Sequence, residues 1–424
     1  MRIKSLHQHF LNSSEVCTDT RSISKNCLFF ALKGEKFNGN EFAKQALENG
    51  AYKVIIDETE FETEGSILVN NVLESLQQLA TFHRDYLAIP IIALTGSNGK
   101  TTSKELINTV LSKKYKTTAT KGNLNNHIGV PLTLLSMDSE TELGIVEMGA
   151  NHPKEIEFLC NIVKPDYGYI TNFGKAHLEG FGSLEGVVKA KTELYEFLKN
   201  NNKTAFVNAN DVKQLLNSEG INSITFGNKN QDCLIELVDA TNQVIVSYKN
   251  QEIKSNLIGL YNFSNIAAAI CMGDYFEVFS SDIKEAIEEY TPTNNRSQLI
   301  KKGSNQIILD AYNANPSSML AALENFNQSK DNTRILFLGD MFELGAEAEK
   351  EHQNIVDFIE NQNFKQTYLI GENFFKTKIK SSFIQKFKTF EELQEKLKTN
   401  TPTKSQILIK ASRGMALERI LAFI

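Results

Sequence analysis

Residues 91–105 read IIALTGSNGKTTSKE, and the order of that stretch constrains the chain more than any other part of it. The apolar run over 91–95 reads as a strand, Gly96 and Gly99 as a tight turn, and the segment from Thr101 as a helix. Glycine takes positive φ freely and lets backbone N–H groups approach a ligand, while a helix N-terminus adds partial positive charge. Such a turn suits phosphate. Lys100 would bring a mobile positive charge to the β- and γ-phosphates, and Thr101 a hydroxyl for an accompanying Mg2+. A nucleoside triphosphate is therefore the expected ligand. The general phosphate loop G-x-x-x-x-G-K-[ST] would need glycine where Leu94 stands, so G-x-x-G-K-T-T is a shorter variant. The rival reading is a strand-to-helix turn with an incidental lysine.

With 424 residues and about 150 residues per domain as a prior, roughly three domains are expected. Residues 1–86 form a small α/β unit. It has a strand from Leu28, a turn with Gly34 and Gly39, a helix with Phe42, Ala43, Ala46 and Leu47 on one face, a strand over 54–56, and a helix over 72–86. Residues 87–293 alternate strands (91–95, 144–148, 167–171, 205–208) with helices (from 101, from 153, 184–198). That alternation predicts a parallel sheet with helices on both faces. An antiparallel edge is expected over 233–260, followed by a helix from 263. Residues 294–424, after the stretch TPTNNRSQ, repeat the theme with strands over 306–309, 334–338, 367–370 and 406–409. The fold class is thus α/β in three domains: a small N-terminal α/β domain, a central parallel-sheet P-loop ATPase-like domain, and a C-terminal Rossmann-like domain. Their shared site would lie in the cleft between domains.

A formal net charge of −6, with no Lys/Arg-rich block, argues against a nucleic-acid partner. Five scattered cysteines without a C-x-x-C pair fit a reducing compartment better than a disulfide framework or a zinc site. The opening MRIKSLHQHF lacks the apolar core of a signal peptide, and no apolar run approaches a membrane span. A cytoplasmic protein is expected.

TGSNGKTT together with GNLNNHIGVPLTLL (122–135), VEMGANHPKEI (146–156), TNFGKAHLEGFGSLEGVVKAKTE (171–193), DAYNANPSSM (310–319), LGDMFELG (338–345) and, near the start, TDTRSISKNCLFFALKGEKFNGNEF resembles the Mur ligases over nearly the whole chain. Within them it is most similar to the branch that adds D-alanyl-D-alanine to UDP-N-acetylmuramoyl-tripeptide. The resemblance implies ATP-dependent amide formation through an acyl phosphate, with ATP and two Mg2+ as cofactors, those two small molecules as substrates, and a monomeric enzyme. Gly96, Ser97, Asn98, Gly99, Lys100, Thr101 and Thr102 would cradle the phosphates. Glu147, Thr101 and His177 would hold magnesium. Lys191 aligns with a lysine that is carbamylated by CO2 in this family and then ligates metal. Its competitor is Lys189, and a plain surface lysine is the bland alternative. Asn262 and Asn265 would meet the nucleotide, with N-capping as the rival role for Asn262. Arg296, in the context NNRSQ rather than Pro-Gly-Arg, would reach the γ-phosphate. Asp310, Tyr312, Asn313 and Asn315 would line the nucleotide and dipeptide sites. Asn123 and Asn126 would touch substrate or bond within their loop, and Thr20, Arg21, Gly34 and Phe37 would form the uridine pocket. His127 is given no role. Two other readings stay open: a ligase of this fold with a different peptide or folate acceptor, and a nucleotide-binding switch without catalysis.

Overall fold

Ile91–Thr95 is buried on both faces along its whole length, as a strand interior to a parallel sheet must be. In the computed structural model, which describes residues 3–328 and 333–424, it is the third strand from one edge of a nine-stranded sheet. From edge to edge the order is Gln251–Lys254, Ile245–Tyr248, Cys233–Asp239, Asn222–Gly227, Thr204–Asn208, Tyr167–Ile170, Ile91–Thr95, Leu143–Glu147, Thr117–Ala119. The expected antiparallel edge is present: Cys233–Asp239, Ile245–Tyr248 and Gln251–Lys254 pair antiparallel. The other pairs in the sheet are parallel. Ile91–Thr95 lies between the strand that follows it at 143 and the one that follows at 167, so the chain departs from it in both directions. Open α/β sheets bind ligands beyond the carboxyl ends of strands at such a switch point.

Leu94 is fully buried within this strand, which explains the short loop: position 94 belongs to the core and the turn begins at Gly96. The following helix, Lys100–Leu111, starts one residue earlier than the sequence suggests, with Gly99 as its N-cap at φ 78°. It packs on Asn262–Tyr275, a helix buried nearly all round through Ile266–Met272. Small residues allow the close approach, since a Cβ on Gly273 would lie 2.5 Å from Val110 Cγ1. The helix expected from Pro153 begins at Glu155, because Lys154 is left-handed (φ 73°) and serves as N-cap.

The N-terminal domain carries a parallel sheet in the order Val16–Cys17, Leu28–Phe30, Lys53–Ile56, Ser66–Leu68. Its helix Val72–Leu87 docks on the central domain. His7 Nε2 lies 3.0 Å from His83 Nδ1, and His83 Nε2 lies 2.9 Å from the Met137 carbonyl; Arg84 donates to Asp166 at 2.7 Å.

The C-terminal sheet runs Gln298–Lys302, Asn305–Asp310, Gln406–Lys410, Arg334–Gly339, Gln366–Ile370, Ile384–Phe387. Its first pair is antiparallel and the rest are parallel. Two of these strands, Gln298–Lys302 and Ile384–Phe387, were not expected. No helix among the described residues is long and apolar enough to cross a membrane.

Candidate functional site

Gly96 adopts φ 143°, and a Cβ there would sit 2.0 Å from Thr171 Oγ1. That hydroxyl is occupied in donating to Asn98 O at 2.6 Å. Asn172 completes the fastening: its Oδ1 accepts from Asn98 N at 3.1 Å and its Nδ2 donates to Asn98 O at 2.9 Å. Ser97 Oγ donates to Gly174 O at 2.8 Å. The loop is therefore fastened to the segment after the neighbouring strand by Thr171, Asn172 and its own Ser97 side chain, and its residues from Ser97 to Thr102 line a cavity of about 930 Å3.

Beneath the loop, Asn265 Oδ1 accepts from Ser103 Oγ at 3.0 Å, Asn265 Nδ2 donates to Asn262 Oδ1 at 2.8 Å, and Asn262 Nδ2 donates to Ile258 O at 2.8 Å. Asn262 thus does not N-cap its helix; Tyr261 occupies that position without a side-chain hydrogen bond. Gly99 is obligatory here, as its Cβ would lie 2.6 Å from Asn265 Oδ1.

The cavity gathers residues far apart in sequence. Ser97, Asn98, Gly99, Lys100, Thr101 and Thr102 line it with Asn123, Asn126, Glu147, His177, Asn262 and Asn265 from the central domain. Arg296, Asp310, Tyr312, Asn313 and Asn315 face them from the C-terminal domain. Gly96 and Lys191 are not among the residues that line it. Thr20, Arg21, Gly34 and Phe37 are not brought to the cavity; Arg21 pairs with Asp19 at 2.7 Å on the surface, and Phe37 stacks on Phe42 at 5.3 Å.

Lys100 Nζ donates to Gly96 O at 2.7 Å. Burial lowers its pKa, a shift that the Glu147 carboxylate opposes and the Arg296 charge reinforces. Glu147 is 1% exposed. Its Oε1 accepts from Asn125 Nδ2 at 2.8 Å, while its buried Oε2 has no hydrogen-bond partner. A buried carboxylate oxygen left unpaired is costly unless a cation meets it. Among the described residues no group of three or more His, Cys, Asp or Glu could hold a metal ion. The donor set instead suits a hard cation that takes most of its oxygens from phosphate and water, as Mg2+ does.

Lys191 is 1% exposed, whereas Lys189 is on the surface. Lys191 Nζ lies 3.2 Å from Ala150 O and 5.1 Å from the Phe181 ring centroid. Burial pushes the ammonium well below its ordinary value, and the Lys100 charge acts in the same direction. Between the two lysines, only Lys191 has the environment that favours a neutral amine. His177 takes a left-handed backbone (φ 51°) and its Nδ1 approaches Glu343 Oε2 to 2.5 Å. That contact holds the Glu343 carboxyl below the usual carboxylate range.

From the C-terminal side, Arg296 lies with Cζ 3.7 Å from the Tyr312 ring centroid, and its buried Nε has no hydrogen-bond partner. A stacked guanidinium with a spare donor is poised for an anion. Asp310 Oδ2 pairs with Lys410 Nζ at 2.5 Å, and Asp310 Oδ1 accepts from Ser297 N at 3.3 Å. Asn315 caps the helix Pro316–Asn327 through a capping box with Ser318, and its Nδ2 also donates to Asn98 Oδ1 at 2.7 Å. One side chain thereby ties the C-terminal domain to the glycine turn. Asn315→Ala should cost about 1–2 kcal/mol of stability in urea unfolding through the lost cap, and should weaken nucleotide binding as well.

Sequence reasoning missed Asn125, Tyr261, Glu343 and Lys410. It also gave no role to His127, which lines the cavity and whose carbonyl accepts from Gln77 of the N-terminal domain at 3.0 Å. Asn125 and Glu343 stand inside quoted motifs, so a signal was present for them. Tyr261 likewise stands inside GLYNFSN, 259–265, whereas Lys410 had only the end of a strand to mark it.

Three family models match in series: Mur ligase family, catalytic domain, over residues 13–88; Mur ligase middle domain over 94–273; and Mur ligase, glutamate ligase domain, over 295–413. The UDP-N-acetylmuramoyl-tripeptide--D-alanyl-D-alanine ligase of Bacillus subtilis is 35% identical over 428 residues, 96% of this chain and 92% of that protein. MurF from Acinetobacter baumannii superposes with a TM-score of 0.86 at 28% identity, covering 99% and 97% of the two chains. MurF ligase from Thermotoga maritima in complex with ADP gives 0.84 at 26%, covering 98% and 97%.

Proposed function

The chain belongs to the Mur ligase family, and on that premise we propose that the cavity between its central and C-terminal domains is where a carboxylate is phosphorylated and then joined to an amine. The protein is an ATP-dependent ligase that adds D-alanyl-D-alanine to UDP-N-acetylmuramoyl-tripeptide in peptidoglycan synthesis. One observation carries the site assignment: Lys100, Glu147 and His177 share a single cavity with Arg296 and Asp310, although more than a hundred residues separate the two groups.

An oxygen of the acceptor's carboxylate attacks the γ-phosphorus, the bond from that phosphorus to the bridging oxygen breaks, and ADP leaves. The amine of the dipeptide then attacks the acyl carbon, loses a proton, and expels inorganic phosphate. The chemical task is to bring anions together, so fixed positive charge does most of the work. The backbone of residues 96–101 and Lys100 hold the polyphosphate, and Arg296 meets the γ-phosphate from across the cleft. Glu147, Thr101, His177 and a carbamylated Lys191 would hold two Mg2+, which would neutralise phosphate charge. Asn262 and Asn265 support the nucleotide from beneath Gly99. Asp310, Tyr312, Asn313 and Asn315 line the nucleotide and dipeptide, Asn123 and Asn126 meet the acceptor, and Thr20, Arg21, Gly34 and Phe37 take its uridine end. Five buried thiols, none in a disulfide, accord with work in the cytoplasm, where we place the enzyme as a monomer.

Phosphate release in the presence of ATP and Mg2+ should require both the tripeptide substrate and D-alanyl-D-alanine; equal release without the dipeptide would refute the assignment. Carbamylation makes a separate demand. The neutral Lys191 amine attacks CO2, forming an N–C bond and losing a proton, so exhaustive removal of CO2 should reduce turnover and bicarbonate should restore it. Turnover indifferent to CO2 would show that Lys191 acts as a plain amine.

A further inference from the structure

We infer that Glu343, on the C-terminal domain, is a positioning residue for His177: it fixes the imidazole so that the second metal site is complete only when the two domains meet. The inference rests on the reading of His177 as a magnesium ligand.

His177 Nδ1 lies 2.5 Å from Glu343 Oε2 as an ion-pair contact without hydrogen-bond alignment, and the buried Nδ1 has no hydrogen-bond partner. With the Glu343 carboxylate beside Nδ1, Nε2 is the ring nitrogen left to a cation; a small turn of the ring brings the Nδ1–H onto the carboxylate, the arrangement by which outer-shell carboxylates set the tautomer and raise the basicity of metal-bound histidines. The backbone on both sides supports that pairing. His177 and Glu343 are both left-handed, at φ 51° and φ 62°, a conformation that non-glycine residues adopt only where surrounding structure holds them. Glu179 N donates to Glu343 O at 3.2 Å. Gly345, at φ 54°, lies so close that a Cβ would be 3.3 Å from Glu179 Cα. Nearby, Lys175 Nζ reaches the buried Glu351 at 2.6 Å, and Lys175 N donates to Ser317 Oγ at 2.8 Å. The segment 341–345 thus meets 177–179 through several contacts, and in it the Glu343 carboxylate reaches His177, which lines the cavity.

The test uses the full chain with a non-hydrolysable ATP analogue and the tripeptide substrate, and counts bound Mn2+ by electron paramagnetic resonance. Wild type should take two ions. Glu343→Gln should weaken one of them about tenfold, His177→Ala should weaken the same one, and the double variant should be no weaker than His177→Ala alone. Small-angle scattering should show Glu343→Gln compacting like wild type, and its loss of kcat should be recovered by excess Mg2+. Unchanged Mn2+ affinity in Glu343→Gln, or additive losses in the double variant, would overturn the positioning role while leaving the metal reading intact. Failure of Glu343→Gln to compact would make the residue a mere latch and overturn it too. A wild type that never takes a second ion would instead bring down the metal reading, and this inference with it.

Discussion

Alanine at position 100 is expected to leave the protein folded and to slow ligation by about 10²- to 10³-fold, the range seen when one preorganised donor to developing charge is removed. Lys100 Nζ donates to Gly96 O at 2.7 Å and reaches Ser97 O at 3.4 Å. Its ammonium is therefore already held over the turn in which the phosphates would lie. Alanine keeps the helix, being the best helix former, so thermal melting followed by circular dichroism should shift little. The loss should fall mainly on kcat, because the charge matters most when the γ-phosphoryl is in transit. Unaltered kcat would remove the loop from the chemistry.

Gly96→Ala should act on the fold itself, lowering stability by about 2–5 kcal/mol through strain and overpacking together. At φ 143° an L side chain is strained, and its Cβ would collide with Thr171 Oγ1 at 2.0 Å. Thr171 has little room to yield, since its hydroxyl is committed to Asn98 O. Gly34→Ala is the matched control. A Cβ there meets nothing within 4 Å, so its stability should stay within about 0.5 kcal/mol of wild type. Urea unfolding of the two variants measures the difference, and equal stabilities would contradict the geometry assigned to the turn.

What was legible in the sequence was local. The glycine turn lies in one contiguous stretch whose strand, turn and helix each leave their own signature. The alternation of apolar runs with helical spacing likewise carried the parallel sheet of the central domain, though not its strands Thr117–Ala119 and Asn222–Gly227. The polar edge strand Gln298–Lys302 was not legible, because QLIKK exposes two of its positions and buries none, so it looks like the loop before it. Lys191 could be distinguished from Lys189 only once burial was known. Asn125 and Glu343 acquire meaning from partners 22 and 166 positions away (Glu147 and His177), a relation that no pattern along the chain encodes. N-capping was the rival role for Asn262 because of its place at a helix start, yet tertiary packing turned its side chain to Ile258 and Asn265.

The central claim is that the γ-phosphoryl group passes to the acceptor's carboxylate before the amide forms. It can be followed by labelling both oxygens of the tripeptide's reacting carboxylate with 18O, running a single cycle of ligation with D-alanyl-D-alanine, and analysing the released phosphate by mass spectrometry. Each phosphate should carry one 18O taken from the carboxylate. Phosphate free of label, formed at the same rate as the amide, would mean that ATP is split by water and that the cavity does not do what is claimed for it.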